Sequence, residues 1–368
     1  MRVECSDCGA AADPLEICRC GGLPEFVLGD LRLDPAGLRR VLRERRASVE
    51  PLFGSGVWRL RELLPQIPAD HVVSLNEGNI PLYPSRAGAS YAGVGRVAYL
   101  HLGMSPTGSF KDLGMTVAIS AASAAGANSV VCASTGNTAS SMAAYAARAG
   151  LRAFAVVPRG RVSDAKLGQM REYGAEIVEV DGSFDDAFAS LSQMKDAMVV
   201  NSVNAYRIEG QKCAAFALLE ARQWHVPDWV ALPGGNLGNI SAFAKGFREA
   251  KALGLIDRLP RIALIRASAG VNTDASAIAV GDPKSINRAK RALREFNGVE
   301  HFLRDDAILD AKAAIGREGI GCEPASAASL GGLRELRRSG AIDADADVVA
   351  VLTGHILKDV RARAYAAV

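Results

Sequence analysis

Lys111 lies in the run Ser105-Pro106-Thr107-Gly108-Ser109-Phe110-Lys111-Asp112, where a Gly-Ser turn delivers it to the start of a long alanine-rich helical pattern. An amine held there, partly desolvated and near positive potential, is suited to act as a neutral nucleophile toward a carbonyl. A lysine in a first helical turn also opposes the macrodipole, a small cost for which an ordinary surface position gives no reason. Three loops supply complementary groups. Ser134-Thr135-Gly136-Asn137-Thr138 joins a strand-like run ending near Cys132 to a helical run through Met142. Its hydroxyls and free backbone N–H groups suit a carboxylate. Pro233-Gly234-Gly235-Asn236-Leu237-Gly238-Asn239 is a Gly/Asn-rich turn between strand and helix, the arrangement that wraps a phosphate in backbone amides. It is neither the dinucleotide fingerprint nor a Walker loop, which favours a monophosphate. Thr353-Gly354-His355 directly follows the strand-like Val348–Leu352. A hydroxyl at that point can hydrogen-bond a ring nitrogen; His355 reads as a structural histidine or as a base.

A reactive amine requires an aldehyde, one loop a phosphate, and a strand-end hydroxyl a ring nitrogen. Pyridoxal 5′-phosphate carries all three groups. A neutral partner leaves the ring nitrogen largely unprotonated, which favours β- or γ-elimination and replacement over transamination.

The elements that must position these groups alternate along the chain. Val97–Leu100, Ser129–Cys132, Arg152–Val157, Ala175–Val180 and Met198–Val200 are strand-like; Phe110–Ala125, Thr138–Gly150, Asp164–Tyr173 and Phe184–Lys195 are helical. A second series follows, with helices at Glu209–Gln223, Ile240–Leu253, Ala307–Glu318 and Ala325–Ser339. Its strands are Trp229–Leu232, Arg261–Leu264 and Val348–Leu352. Short β-rich runs between helices predict parallel βαβ units and two doubly wound α/β domains with a ligand crevice. The expected division is a Cys-rich cap over 1–28, a large domain from 29–111 and 203–368, and a small domain over 112–202. Asp34–Leu64 reads as helical, and Ser74–Leu82 as a Gly-containing loop entering an extended segment.

Bulk properties exclude other classes. At 368 residues, 49% hydrophobic, the chain can bury cores without staples. No apolar run is long and uncharged enough to span a bilayer, and Met1–Cys5 lacks signal-peptide features. With 43 basic and 40 acidic residues interspersed, the net charge is only +3, and Arg39–Arg46 reads as a solvated helix face, not a nucleic-acid patch. A soluble, cytoplasmic enzyme with no membrane or nucleic-acid partner is expected.

Cys132, Cys213 and Cys322 sit among apolar neighbours and read as reduced core residues. Cys5, Cys8, Cys18 and Cys20 form C-x2-C and C-x-C-Gly-Gly, which can close a tetrahedral, structural zinc site. The shortened second half leaves a three-ligand or degenerate ribbon as the alternative.

Pro106–Asp112, Ser134–Thr138, Asn201-Ser-Val-Asn204 with Arg207–Lys212, Gly321–Ser326 and Thr353–Asp359 together resemble threonine synthase, in that family's order and over roughly residues 74–360. The resemblance implies a pyridoxal-phosphate lyase of fold type II, the tryptophan-synthase β-like fold, and a homodimer. The implied reaction converts O-phosphohomoserine and water to threonine and phosphate by γ-elimination and β-addition. By the same resemblance Lys111 is the Schiff-base lysine and proton shuttle, with Phe110 beside it in the cofactor site. Asn137 binds the cofactor's phenolic oxygen, and Gly234, Gly235, Asn236, Leu237, Gly238 and Asn239 its phosphate. Thr353 binds the pyridine nitrogen, and Ser134, Thr135 and Thr138 hold the substrate carboxylate. Arg161, Lys166 and Arg207 are candidates for the substrate phosphate. Some members of the family also carry an N-terminal Cys-rich ribbon. Four positions depart from the family: Leu113 replaces Arg, Ile80 replaces Thr, Asn76 replaces Gly and Ile356 replaces Gly. They bear on the substrate. The alternatives are a sister pyridoxal-phosphate enzyme (cysteate-synthase-like β-replacement or threonine/serine dehydration) and, more remotely, an NADP-binding protein with Arg266 on the 2′-phosphate.

Overall fold

The computed structural model describes residues 1–29, 34–159 and 164–359. In chain order, β1 (Arg2–Cys5) and β2 (Pro24–Val27) precede α1 (Pro35–Arg46), β3 (Leu82–Ser85), α2 (Arg86–Ala92), β4 (Arg96–His101) and α3 (Lys111–Ala124). Alternation continues through β5 (Ser129–Ala133), α4 (Asn137–Ala149), β6 (Arg152–Pro158), α5 (Asp164–Glu172), β7 (Glu176–Val180), α6 (Phe184–Ser190) and β8 (Met198–Val199). Then come α7 (Ala205–Ala221), β9 (Trp229–Pro233), α8 (Gly238–Ala252), β10 (Arg261–Ala267) and α9 (Ile286–Glu295). β11 (Val299–Leu303), α10 (Asp305–Gly316), α11 (Pro324–Arg338) and β12 (Asp347–Leu352) complete the described elements.

These elements form two compact units. One comprises Met1–Asn79, Ser105–Ala217 and Ala252–Leu255; the other comprises Ile80–Met104, Leu218–Lys251 and the chain from Ile256 onward. The first holds a four-stranded sheet, β7-β6-β5-β8, parallel throughout. β5 is buried along its whole length, as a central parallel strand covered on both faces must be. Met115, Ile119, Val130, Cys132, Met142 and Tyr145 pack into one core, where the alanines of α3 and α4 leave room for the larger side chains. The second unit holds a six-stranded sheet in the order β11-β10-β9-β12-β4-β3, parallel except for antiparallel β3. β9 and β12 are neighbours in it, paired at Val348↔Trp229 and Ala350↔Ala231. The loops after these two strands therefore emerge side by side. The expected α/β class and its parallel sheets are present.

Several local expectations change. Asp34–Leu64 is not one helix. α1 ends at Arg46, and 3-10 turns follow at Pro51–Gly54 and Trp58–Leu63, with Leu60 outside helical geometry. Pro51 cannot donate to a continuing helix. Of the α1 arginines, Arg40, Arg43 and Arg46 are exposed as expected, whereas Arg39 and Arg45 are half-buried. Arg39 donates to the Leu255 carbonyl, and Arg45 is bound to the Glu62 carboxylate and lies over the Phe53 ring. α2, α9 and β11 are additions to the elements expected from sequence. β11 is an edge strand with alternating exposure, and Val299-Glu-His-Phe-Leu carries no strong apolar run. Cys132, Cys213 and Cys322 are buried, as their neighbours imply. Among the described residues no helix is long and apolar enough to cross a membrane.

Candidate active site

Lys111 is the first residue of α3, half-buried, with Nζ 4.3 Å from the centroid of the Phe110 ring. Its helix is pressed tightly onto α7. A Cβ at Gly114 would come within 2.5 Å of the Arg207 carbonyl oxygen, and one at Gly210 would overlap the Leu113 carbonyl. Leu113 itself is 1% exposed. The position at which the family resemblance expects Arg is thus a buried leucine here.

The Ser134–Thr138 loop follows β5 and opens α4. Gly136 is the N-cap residue, at φ −141° and ψ −144°, with no side-chain cap. Its amide donates to Ser134 Oγ at 3.2 Å. The Gly136 carbonyl accepts the amides of Ala139 at 3.1 Å and Ser140 at 3.3 Å, which opens the helix. Asn137 is buried, while Ser134, Thr135 and Thr138 are partly accessible. Asn201 braces the loop from the neighbouring chain segment: its amide donates to the Ala133 carbonyl at 2.8 Å and accepts the Ala133 N–H at 3.0 Å.

Behind this loop lies a network of buried polar groups that sequence reasoning misses. Asp112 accepts the Thr107 amide at 2.7 Å and the hydroxyls of Thr107 and Ser141, each at 2.6 Å. Glu77, wholly buried, accepts the Tyr145 hydroxyl at 2.7 Å and the Leu75 amide at 3.0 Å. Burial pushes the Asp112 carboxyl up to about 6, against the pull of its three hydrogen bonds. Tyr145 is driven upward by burial and by the charges of Glu77 and Asp112. Arg207 is 1% exposed, donates to the Val200 carbonyl at 2.6 Å and leaves Nε without a partner among the described residues. Desolvation pulls it down to about 10, opposed by Cys132 and Asp112. Arg161 lies outside the described residues; Lys166 is on α5, its side chain likewise outside them. The readable signal for this network is the pair of serines, Ser140 and Ser141, inside an otherwise apolar helix face.

In the second unit, the Gly234–Asn239 loop runs from β9 into α8. Leu237 is held at φ 61° although 2% exposed, a left-handed conformation that a branched side chain adopts only under constraint. A Cβ at Gly235 would lie 2.9 Å from the Ala277 carbonyl, so only glycine lets the loop approach that backbone. The Asn236 side chain accepts the Lys284 amide at 2.7 Å. Asn239 is buried, and neither polar atom of its side chain has a partner among the described residues. Beside this loop, at the end of β12, Thr353 Oγ1 lies 3.1 Å from Ser326 Oγ, both buried. Ser326 Oγ also accepts the Gly354 amide at 2.8 Å. Ser326 belongs to one of the family motifs, but the motif alone gives it no role; its contact with Thr353 does. His355 stacks on His101 at 5.9 Å, and its Nδ1 accepts the Leu357 amide at 3.3 Å. Burial holds both rings below the usual imidazole range, and the His101 ring is further lowered by His355. His355 accordingly reads as structural. Ile356, at a family glycine position, lies over Gly321 and is 38% exposed. Ile80 is buried, and Asn76 adopts φ 62°, a conformation asparagine tolerates.

The donors at the ends of β9 and β12 are amides, a carboxamide unsatisfied among the described residues and neutral hydroxyls, and the buried Glu323 carboxylate lies against Gly354. That chemistry fits a phosphorylated pyridine aldehyde. The pyridoxal-phosphate dependent enzyme family matches residues 73–354. The chain is 47% identical over 315 residues to the threonine synthase of Synechocystis sp., covering 81% of this chain and 82% of that protein. It is 38% identical over 385 residues to the threonine synthase of Methanocaldococcus jannaschii, covering 98% and 93%. Maize serine racemase superposes with a TM-score of 0.65 at 21% identity over 86% of this chain and 92% of that one. Processed threonine deaminase isoform 2 of Solanum lycopersicum gives 0.63 at 20% identity, over 90% and 95%. These two likenesses concern the fold. The chain belongs to the pyridoxal-phosphate dependent enzymes and, among them, to the threonine synthases.

At the other end of the sequence, β1 and β2 pair antiparallel and bring the four cysteines together. Their sulfurs all lie within 4.8 Å of one another, with Cys5–Cys20 at 3.4 Å and Cys8–Cys18 at 3.8 Å. A tetrahedron with Zn–S of about 2.3 Å has sulfur–sulfur edges of about 3.8 Å. The amides of Asp7 and Gly22 donate to the sulfurs of Cys5 and Cys20, each at 3.4 Å, as in a metal knuckle. Burial opposes ionisation of Cys5, but the amides of Cys8 and Asp7 and the neighbouring thiols bring it down to about 7. The Gly22 amide favours the Cys20 thiolate, yet the other three thiols outweigh it and push Cys20 up to about 12.

Proposed function

We propose that this protein is a pyridoxal-phosphate dependent threonine synthase, a lyase converting O-phosphohomoserine and water to threonine and phosphate by γ-elimination and β-addition. The observation that carries this reading is 47% identity to a threonine synthase over 81% of the chain, with Pro106–Asp112 around Lys111 retained. When bound, the cofactor supplies an electrophilic carbon for the substrate amine and a ring that accepts electron density from the substrate. Lys111 Nζ would hold the cofactor carbonyl and would be the group that carries protons at the substrate's α- and β-carbons. Phe110 flanks that amine. The Gly234–Asn239 amides and the Asn239 carboxamide grip the cofactor phosphate. Thr353, fixed by Ser326, meets the pyridine nitrogen as a neutral partner, and Asn137 meets the phenolic oxygen. Ser134, Thr135 and Thr138 orient the substrate carboxylate. Arg161 and Lys166 are the cations proposed for the substrate phosphate; Arg207, also a candidate from sequence, is not proposed for it, since it is buried with its guanidinium on the Val200 carbonyl. A soluble, cytoplasmic homodimer goes with this reading.

The test is phosphate release. Turnover of O-phosphohomoserine with stoichiometric threonine is expected, and phosphoserine with sulfite should give none. A protein that ignores the first and consumes the second is instead a β-replacement enzyme. The buried Leu113 is the observation favouring that second reading, because a family cation is missing there.

The cysteine cluster is proposed to hold one structural zinc ion. The ribbon it closes rests on the start of α7: Ala205 donates to the Pro14 carbonyl at 2.8 Å, and Phe26 meets Tyr206 at 4.9 Å. Elemental analysis is expected to find one zinc per chain. Cys8→Ser and Cys18→Ser should each lose it and lower the melting temperature. Full stability in a zinc-free protein would contradict this.

A further inference from the structure

We propose that Asp112 is a positioning residue for Lys111, clamping the Ser105–Phe110 loop to helix α4 through Thr107 and Ser141. The inference rests on the reading of Lys111 as the cofactor lysine. Asp112 follows Lys111 in the first turn of α3 and is wholly buried. Its Oδ2 accepts the Thr107 amide, while Oδ1 accepts the hydroxyls of Thr107 and Ser141. Thr107 fixes the approach of the chain to Lys111. Ser141 stands one turn along α4 from Asn137, on the helix whose first residues face the proposed substrate. One carboxylate thereby locks two site-bearing segments into a single geometry, and a displacement of about 1 Å in such a geometry is enough to cost catalysis.

A carboxylate suits this place because it only accepts, and three donors converge on it; asparagine would turn an N–H2 toward one of them. A helix-dipole role alone would explain an acid in the first turn, but not its bond to Ser141 on another helix. The charged groups around it are Glu77 from the 74–79 loop, Tyr145 from α4 and Arg207 from α7, with Lys111 adjacent in sequence. Burial and Glu77 already hold the Asp112 carboxyl near 6, and the three donors oppose that rise. Removing a donor weakens the ionised form. The pH at which Asp112 takes up a proton then moves up, and the acid limb of activity moves with it.

The test compares holoenzyme carrying Thr107→Val, Thr107→Ser or Ser141→Ala, using the amino-acid substrate that the wild type turns over. Rates are read across pH, and the site of cofactor attachment is read by borohydride reduction and peptide mass mapping. Thr107→Val and Ser141→Ala should lower kcat by about ten- to a hundredfold with KM within about threefold, because each deletes a hydrogen bond to a charged group. Their acid limbs should shift to higher pH, and the reduced cofactor should still be found on Lys111. Thr107→Ser, which keeps the hydroxyl, should recover most of the rate. Unchanged kcat and an unmoved limb in both deletions would overturn the proposal, as would a Thr107→Ser enzyme as slow as Thr107→Val. Should Thr107→Val not fold, Ser141→Ala gives both readouts alone. Wild-type enzyme with no cofactor fixed at Lys111 would overturn the reading of Lys111 itself.

Discussion

Lys111→Ala is expected to lower kcat by about 10³–10⁴-fold or more, since it removes both the covalent attachment point and the proton carrier. Borohydride should then fix no cofactor to the protein, and the visible band of the holoenzyme should be lost or displaced. The proposed phosphate grip does not depend on Lys111, so native mass spectrometry should still find cofactor bound non-covalently. Lys111→Arg sharpens the test. It keeps the positive charge near the Phe110 ring, but a guanidinium cannot deprotonate to act as a nucleophile. Equal loss in both variants assigns the effect to amine chemistry, and survival of the arginine variant would assign it to charge. Lys212, fully buried in the first unit, cannot stand in. It is bound to Glu209 and to the Leu63 carbonyl at 2.6 Å each. A reduced cofactor recovered on any peptide other than that of Lys111 would overturn the assignment.

The parts of the fold and site that are legible in sequence are those whose signal is local. Lys111, the Ser134–Thr138 cluster, the Gly234–Asn239 turn and Thr353 each sit in a short run whose composition states its chemistry, and the structure puts each at a helix start or a strand end. The central strands β5, β9 and β12 are equally plain, because double-sided burial makes them continuous apolar runs. What stays hidden depends on partners far away in the chain. Ser141 meets Asp112 across 29 residues and Ser326 meets Thr353 across 27, and nothing in either local run announces the pairing. β11 escapes a reading of the sequence because an edge strand has one half-exposed face. α1 reads as too long because its helical composition runs on past the residue where Pro51 and the 3-10 turns break it.

Gly210→Ala is expected to be among the most destabilising single-methyl changes in the protein, although helix propensity predicts the opposite. Gly210 lies inside α7, and alanine in an unconstrained helix interior is better than glycine by about 1 kcal/mol. Here the new Cβ would overlap the Leu113 carbonyl oxygen and come within 2.8 Å of Gly114 Cα. Both obstacles are backbone, so no rotamer change relieves them; α3 and α7 would have to separate. Overpacking of that kind costs about 1–3 kcal/mol and sometimes more, which exceeds the propensity gain. At about 2–4 °C per kcal/mol, a fall in melting temperature of several degrees is expected. Because Lys111 begins α3 and Arg207 lies on α7, activity should fall further than stability alone requires. Gly168→Ala is the internal control: it sits in α5, and a methyl added there would meet nothing within 4 Å among the described residues, so propensity acts unopposed and slight stabilisation is expected. If both alanine variants melt higher than the wild type, the tight α3–α7 crossing does not constrain the fold, and the precise seating of Lys111 must come from its loop alone.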